Sequence, residues 1–188
     1  EGIEGRVLVA RDFDELEAAK DRVAGTIVLF DPPWSGYGET VQYRTRGADR
    51  AAALGAKAVL VRSVTDTAMA IPHTGALGYK GSRKIPAAAI PTETADRIRR
   101  WADRGRPVSV RLNLQSEARD PVPSHNVIGE ITGQKADEVV LLGCHLDSWD
   151  VGTGAQDDGA ACVAVMEAVA QIHALGIQPK RTVRAVLF

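Results

Sequence analysis

The sequence predicts an α/β fold in two units, and three observations carry that reading. Short apolar runs alternate with helical patterns over residues 1–116, a charged stretch with two prolines interrupts the pattern at 116–126, and a strand, helix, strand order resumes beyond it. A length of 188 residues suits one large domain or two small ones. Two fit the pattern better.

In the first unit, residues 6–10 (RVLVA), 27–30 (IVLF), 58–61 (AVLV) and 86–90 (PAAAI) read as strands. Between the first two, Phe13, Leu16, Ala19 and Val23 fall at helical spacing, with Asp12 placed to cap the start and Gly25 to end the turn. A similar helix ends at Leu54 with Gly55 behind it. In RIRRWADRGR, Ile98 and Trp101 recur three apart, so the pattern predicts that this face packs while Arg97, Arg100 and Arg104 stay in water. No wider basic face accompanies the aromatic residue, so the cluster reads as a solvated helix face rather than a nucleic-acid surface. His73, in IPHTGALGY, falls on a loop without a recognisable ligand partner and reads as structural or solvated, as does His173 on its helix.

The segment SEARDPVPSHN, residues 116–126, reads as a linker because its prolines cannot donate to a strand ladder. Beyond it HNVIGEI is a strand pattern, EVVLLGC at 138–144 a buried strand, and TVRAVLF at 182–188 another. A helical pattern runs from about Asp158 to Leu175, with Cys162, Met166, Val169 and His173 sharing one face. Strand, helix and strand in that order imply a parallel crossover, whose binding residues lie just beyond the carboxyl ends of the strands.

Composition narrows the functions. At 45% apolar and 25% charged residues the chain is ordinary globular protein, and a formal net charge of −1 gives no general attraction to nucleic acid or anionic lipid. The longest apolar runs are too short to span a bilayer. Cys144 and Cys162 make neither a disulfide framework nor a structural zinc site. The sequence opens at Glu1 without methionine or an apolar targeting segment and stops at Phe188 within a strand pattern, so it reads as a fragment.

The chemistry concentrates in GCHLDSWDVGTGAQDDGAA, residues 143–161, at the carboxyl end of the 138–144 strand. Continued alternation past Cys144 puts His145 and Asp147 on one side while Leu146 points the other way. A neutral imidazole ligates transition metals, and a nearby carboxylate that holds its second ring N–H fixes the tautomer. The glycine-rich GTGAQDDG then brings Asp157 to the start of the following helix, where it shares a metal with His145. Asp158 reads as that helix's cap. The loop lacks the GK[ST] ending of a phosphate-binding loop and the spacing of a calcium loop, and no G-x-S-x-G elbow is present. Cys144 and His145 point to opposite faces, which argues against a nucleophilic cysteine paired with that histidine.

HLDSWDVGTGAQDDG resembles the first metal-binding motif of the zinc metallopeptidases that include plasma glutamate carboxypeptidase and many bacterial aminopeptidases. GTIVLFD, RGADRAAALGAKAVLVRS, HTGALGY and IPAAAIP are similar to the protease-associated domain that many of these enzymes carry. The resemblance implies a protease-associated α/β domain at 1–116, followed at 124–188 by the first βαβ part of a zinc-exopeptidase (phosphorylase/hydrolase-like) α/β domain. It further implies that His145 ligates the first of two zinc ions, that Asp157 bridges both, and that Asp147 is the catalytic aspartate that orients His145. A Glu-Glu pair, a late Asp and a final His complete such sites after the position of Phe188. Two protein ligands fall short of the usual three of a catalytic zinc site, so residues 1–188 are expected to bind zinc weakly and to be inactive alone. The implied substrate is a dipeptide or short peptide and the implied location is secreted or periplasmic; homodimer formation is left open. A competing expectation is a protein-interaction module whose acidic loop is merely structural.

Overall fold

The computed structural model describes residues 2–117, 119–149 and 152–188. The chain divides into two compact units, residues 1–117 and 118–188, each mixed α/β.

In the first unit the strands β1 (Ile3–Ala10), β2 (Ile27–Phe30), β3 (Ala58–Arg62), β4 (Ala87–Ile90) and β5 (Ser109–Leu112) form one sheet in the order β4-β3-β2-β1-β5. Neighbours from β1 to β4 run parallel, with Ala10 beside Phe30, Phe30 beside Val61 and Val61 beside Ala89. β5 runs antiparallel to the first half of β1, with Ile3 beside Leu112. Helices α1 (Phe13–Ala18), α2 (Tyr37–Ala53) and α3 (Thr92–Asp103) complete the unit. All four residues of β2 are buried because both sheet faces are covered. Val28 and Phe30 pack with Leu16 of α1 and with Ala48, Ala51 and Ala52 of α2, whereas Ile27 and Leu29 pack with Ala95 and Ile98 of α3.

Local sequence sets these boundaries. Asp12 caps α1, its carboxylate accepting from the Glu15 amide at 2.7 Å. The helix expected through Val23 stops at Ala18 and continues only as a 3-10 turn, Lys20–Arg22. Gly55, at φ +89, ends the α2 turn in a conformation that side chains disfavour. The expected packing of Trp101 is corrected: α3 turns Thr92, Ala95 and Ile98 inward, and Trp101 is exposed.

Asp31 follows Phe30 directly, at the carboxyl end of β2, and its carboxylate is buried. It lies 3.0 Å from Arg62 and 3.1 Å from Arg99, and both arginines also reach Asp96, at 2.6 and 3.0 Å. This two-plus, two-minus cluster ties β2 and β3 to α3 and leaves little net charge in the interior.

In the second unit β6 (Val127–Ile131), β7 (Lys135–Cys144) and β8 (Arg181–Leu187) pair in the order β6-β8-β7. β7 is parallel to β8, with Cys144 beside Leu187, and β6 is antiparallel to it. Helix α4 (Ala161–Ala174) joins the parallel pair. Cys144, Cys162, Ala185 and Leu187 form the core, with Val165 and Val169 against it.

Two expectations are corrected here. The packed stripe of α4 is Cys162, Val165 and Val169, while Met166 and His173 are exposed; Cys162 and Val169 face inward as expected, and Val165 rather than Met166 lies between them on the face that meets the sheet. The strand at 138–144 is not buried throughout, since Val139, Val140 and Leu141 are exposed. Among the described residues of this unit one helix, α4, lies against the sheet, and of β7 it buries only the carboxyl-terminal Cys144 in the core.

Candidate metal centre

The site is assembled where β7 ends and the turn before α4 begins. Cys144 is 2% exposed within the core, so strand alternation turns its neighbour His145 outward. Both backbone groups of His145 are held from the α4 side. Its N–H donates to Asp158 Oδ2 at 3.1 Å, and its C=O accepts from the Cys162 thiol at 3.3 Å. The imidazole is then fixed at each ring nitrogen. Nδ1 lies 2.9 Å from the Asp147 carbonyl oxygen and 3.1 Å from Asp147 Oδ1. Nε2 lies 2.9 Å from Asp157 Oδ1 and 3.9 Å from Asp158 Oδ2. The three candidates His145, Asp147 and Asp157 are therefore brought together, with the histidine between the two carboxylates.

The glycines make the intervening turn close. Gly154 sits at φ +65, and a Cβ on it would lie 2.6 Å from the Ser148 side chain, so only glycine is accommodated without strain. Its carbonyl accepts from the Gly159 amide at 2.9 Å. Across Ala155–Ala160 the chain makes a wide turn in which Asp157 (φ −111, ψ 89) and Asp158 (φ −128, ψ 22) leave helical geometry, and the peptide between them is cis. Asp150 and Val151 of the motif lie outside the described residues.

Asp158 corrects the sequence reading. No side chain caps α4, whose preceding residue is Ala160. The Asp158 carboxylate instead accepts from the His145 amide. The sequence carried a signal for this role only in the doubled aspartate of QDDG, which does not tell a cap from a tether.

The site is acidic and open on one side. The side chains of Asp147 and Asp157 are 88% and 85% exposed, against 35% for His145. The hydrogen bond to the Asp147 carbonyl holds the His145 imidazolium above the ordinary histidine range, helped by Asp157, Asp158 and the Asp147 charge and opposed by desolvation. Burial, followed by Cys162 and Asp158, pushes the Cys144 thiol up to about 11. A thiol so poised is protonated at neutral pH and is no nucleophile.

The donor set fits a transition metal. Two ligand atoms each about 2.0–2.2 Å from a tetrahedral zinc stand about 3.4 Å apart, and His145 Nε2 and Asp157 Oδ1 at 2.9 Å need only a small opening to reach that span. Asp147 on Nδ1 supplies the outer carboxylate that such histidines keep. Among the described residues no group of three or more His, Cys, Asp or Glu side chains is gathered to hold a metal, so the donors offered are a pair.

Comparison with known proteins shows what the chain is similar to. Residues 126–188 match the model of Peptidase family M28. The whole chain is 44% identical over 190 residues to carboxypeptidase Q of Homo sapiens, of which it spans 40%. A leucine aminopeptidase 2 of Trichophyton equinum is 33% identical over 92 residues, covering 49% of this chain. Among solved structures, a peptidase M28 precursor from Shewanella amazonensis superposes with a TM-score of 0.89 at 39% identity, over all of this chain and 44% of that one. A zinc aminopeptidase from Bacillus subtilis superposes with a TM-score of 0.56 at 19% identity, a likeness of fold alone. The chain thus spans about two fifths of the length of the curated relatives it matches, and His145, Asp147 and Asp157 all fall within the residues that the family model matches.

Proposed function

We propose that this chain supplies the first part of the metal centre of a zinc-dependent exopeptidase acting on dipeptides or short peptides. In this reading His145 and Asp157 are zinc ligands, Asp157 bridging two ions in the complete site, and Asp147 is the catalytic aspartate that orients His145. Residues 1–116 serve as a protease-associated domain and residues 124–188 as the opening of the catalytic domain. Similarity to carboxypeptidase Q and to a leucine aminopeptidase supports the reaction class, and a secreted or periplasmic location goes with it. Among the described residues no helix is long and apolar enough to cross a membrane.

The observation that carries the proposal is the imidazole of His145 held between two carboxylates, at 2.9 Å to Asp157 and 3.1 Å to Asp147. A zinc ion held there by His145 and Asp157 would supply Lewis-acid polarisation of a carbonyl and a more acidic water. The protein's own part is positional. Asp147 fixes the Nδ1 proton so that Nε2 presents a lone pair, and the Asp158 and Cys162 contacts hold the backbone beneath it. The exposed Asp157 carboxylate keeps a free oxygen for a second cation.

Calorimetric zinc titration of the chain tests this. Weak binding, lost in His145→Ala and in Asp157→Ala, is the expected result; binding unchanged in both variants contradicts the proposal. Because zinc must displace the proton that His145 holds above its usual range, affinity should fall more between pH 8 and pH 6 than an ordinary histidine predicts. Steady dipeptide hydrolysis by these 188 residues would contradict the incompleteness of the ligand set.

A further inference from the structure

We infer that the first unit carries a second binding site, for the carboxylate-bearing C-terminal residue of a peptide with an apolar side chain. A cavity of about 270 Å³ opens beside β4, the edge strand of the five-stranded sheet. Val61, Leu77, Ala87 and Ala89 give it apolar walls, and Arg44 of α2 is the charged residue lining it.

The state of Arg44 sets it apart from the arginines around Asp31. Its Nη1 donates to the Thr74 carbonyl at 2.9 Å and lies 3.4 Å from His73 Nδ1, and its Nη2 donates to the Tyr37 hydroxyl at 3.0 Å. No carboxylate pairs with it among the described residues, and its Nε is buried without a hydrogen-bond partner. Buried donors are nearly always satisfied, so an unpaired Nε in the charged side chain that lines the cavity marks a guanidinium with hydrogen-bonding capacity left for an acceptor. With Nη2 spending one of its two N–H groups on Tyr37 and Nε spending none, the guanidinium keeps donors on its Nε–Nη2 edge, the edge that a carboxylate engages side-on. Gly75 is part of the construction: a Cβ there would stand 2.3 Å from Arg44 Cζ, so this loop residue must lack a side chain for the guanidinium to keep its place.

Charge and size choose the occupant. A single cation among small apolar walls suits one negative charge joined to one hydrocarbon side chain, and the apolar lining gives a phosphate nothing to fill it. The volume is just under the roughly 300–1,000 Å³ of small-molecule pockets, which fits one terminal residue rather than a longer segment. Capture of a peptide C-terminus is an established mode of recognition.

The site is independent of the metal pair, and the test separates them. Isothermal titration of the full chain with N-acetyl-Ala-Leu, without added zinc, should give saturable binding at least about tenfold tighter than with the C-terminal amide of the same peptide, the loss expected when a charge-assisted pair is removed. Arg44→Met should reduce binding to that of the amide. Leu77→Glu, which places a carboxylate on a partly exposed wall residue and should not unfold the unit, should also abolish it, while His145→Ala should leave it unchanged. Equal binding of acid and amide, full binding by Arg44→Met, absence of binding to the unsubstituted chain, or loss in His145→Ala would each overturn the inference.

Discussion

At the scale of single residues, the site rests on how His145 is held. Its ring meets one carboxylate at each nitrogen, and its peptide group is tethered by Asp158 and Cys162. Asp158→Ala leaves a partly buried N–H without its acceptor, which costs about 1–3 kcal/mol. The second unit of that variant should unfold at lower urea concentration by that amount and bind zinc more weakly than the parent; unchanged stability would show that the tether is idle. The convergence of His145, Asp147 and Asp157 was legible in the sequence because alternation along a strand and a glycine-rich return bring the three side chains together. The tether was not, since an aspartate ahead of a helix reads first as a cap and only the turn across Asp157 and Asp158 redirects it.

At the scale of elements, packing decides what periodicity leaves open. The strands of the first unit announced themselves as apolar runs, but β5 did not, although Val108, Val110 and Leu112 alternate with polar residues as an edge strand's should. The stripes of α3 and α4 were read correctly at Ile98, Cys162 and Val169 but wrongly at Trp101, Met166 and His173, because each helix offers more than one apolar face. Only the sheet beneath chooses between Ile98 and Trp101, or between Val165 and Met166. The helix α2 carries Gly47 where a Cβ would come within 2.7 Å of the Phe30 ring, and that ring is fully buried between Phe13 and Tyr43. Gly47→Ala gains up to about 1 kcal/mol of helix propensity but overpacks the core by about 1–3 kcal/mol. Net destabilisation in denaturant melts is expected; a stabilised protein would mean that Phe30 has room to move.

At the scale of the whole molecule, two units of different character share one chain. The first has a sheet covered on both faces and an internal charge cluster; the second has a three-stranded sheet with Ile128 and Leu141 on exposed positions. Acid should act on the cluster. Burial pushes Asp96 up, yet the hydrogen bond and charge of Arg62, with Arg99 and Arg100, outweigh it and hold the carboxyl below the ordinary aspartate range. A depressed folded value means that Asp96 contributes stability fully above its unfolded value of about 3.9 and loses it as pH falls through the lower folded one. The stability of Asp96→Asn should therefore fall less than that of the parent between pH 5 and pH 2, measured by urea unfolding; parallel curves would remove Asp96 from the account.

The most direct measurement is an anomalous difference map from a zinc-soaked crystal of the chain. The account predicts a zinc peak bonded to both His145 Nε2 and an Asp157 carboxylate oxygen, with Asp147 still on Nδ1. A peak on Cys144 or His73 instead, or none near His145 at saturating zinc, would contradict it.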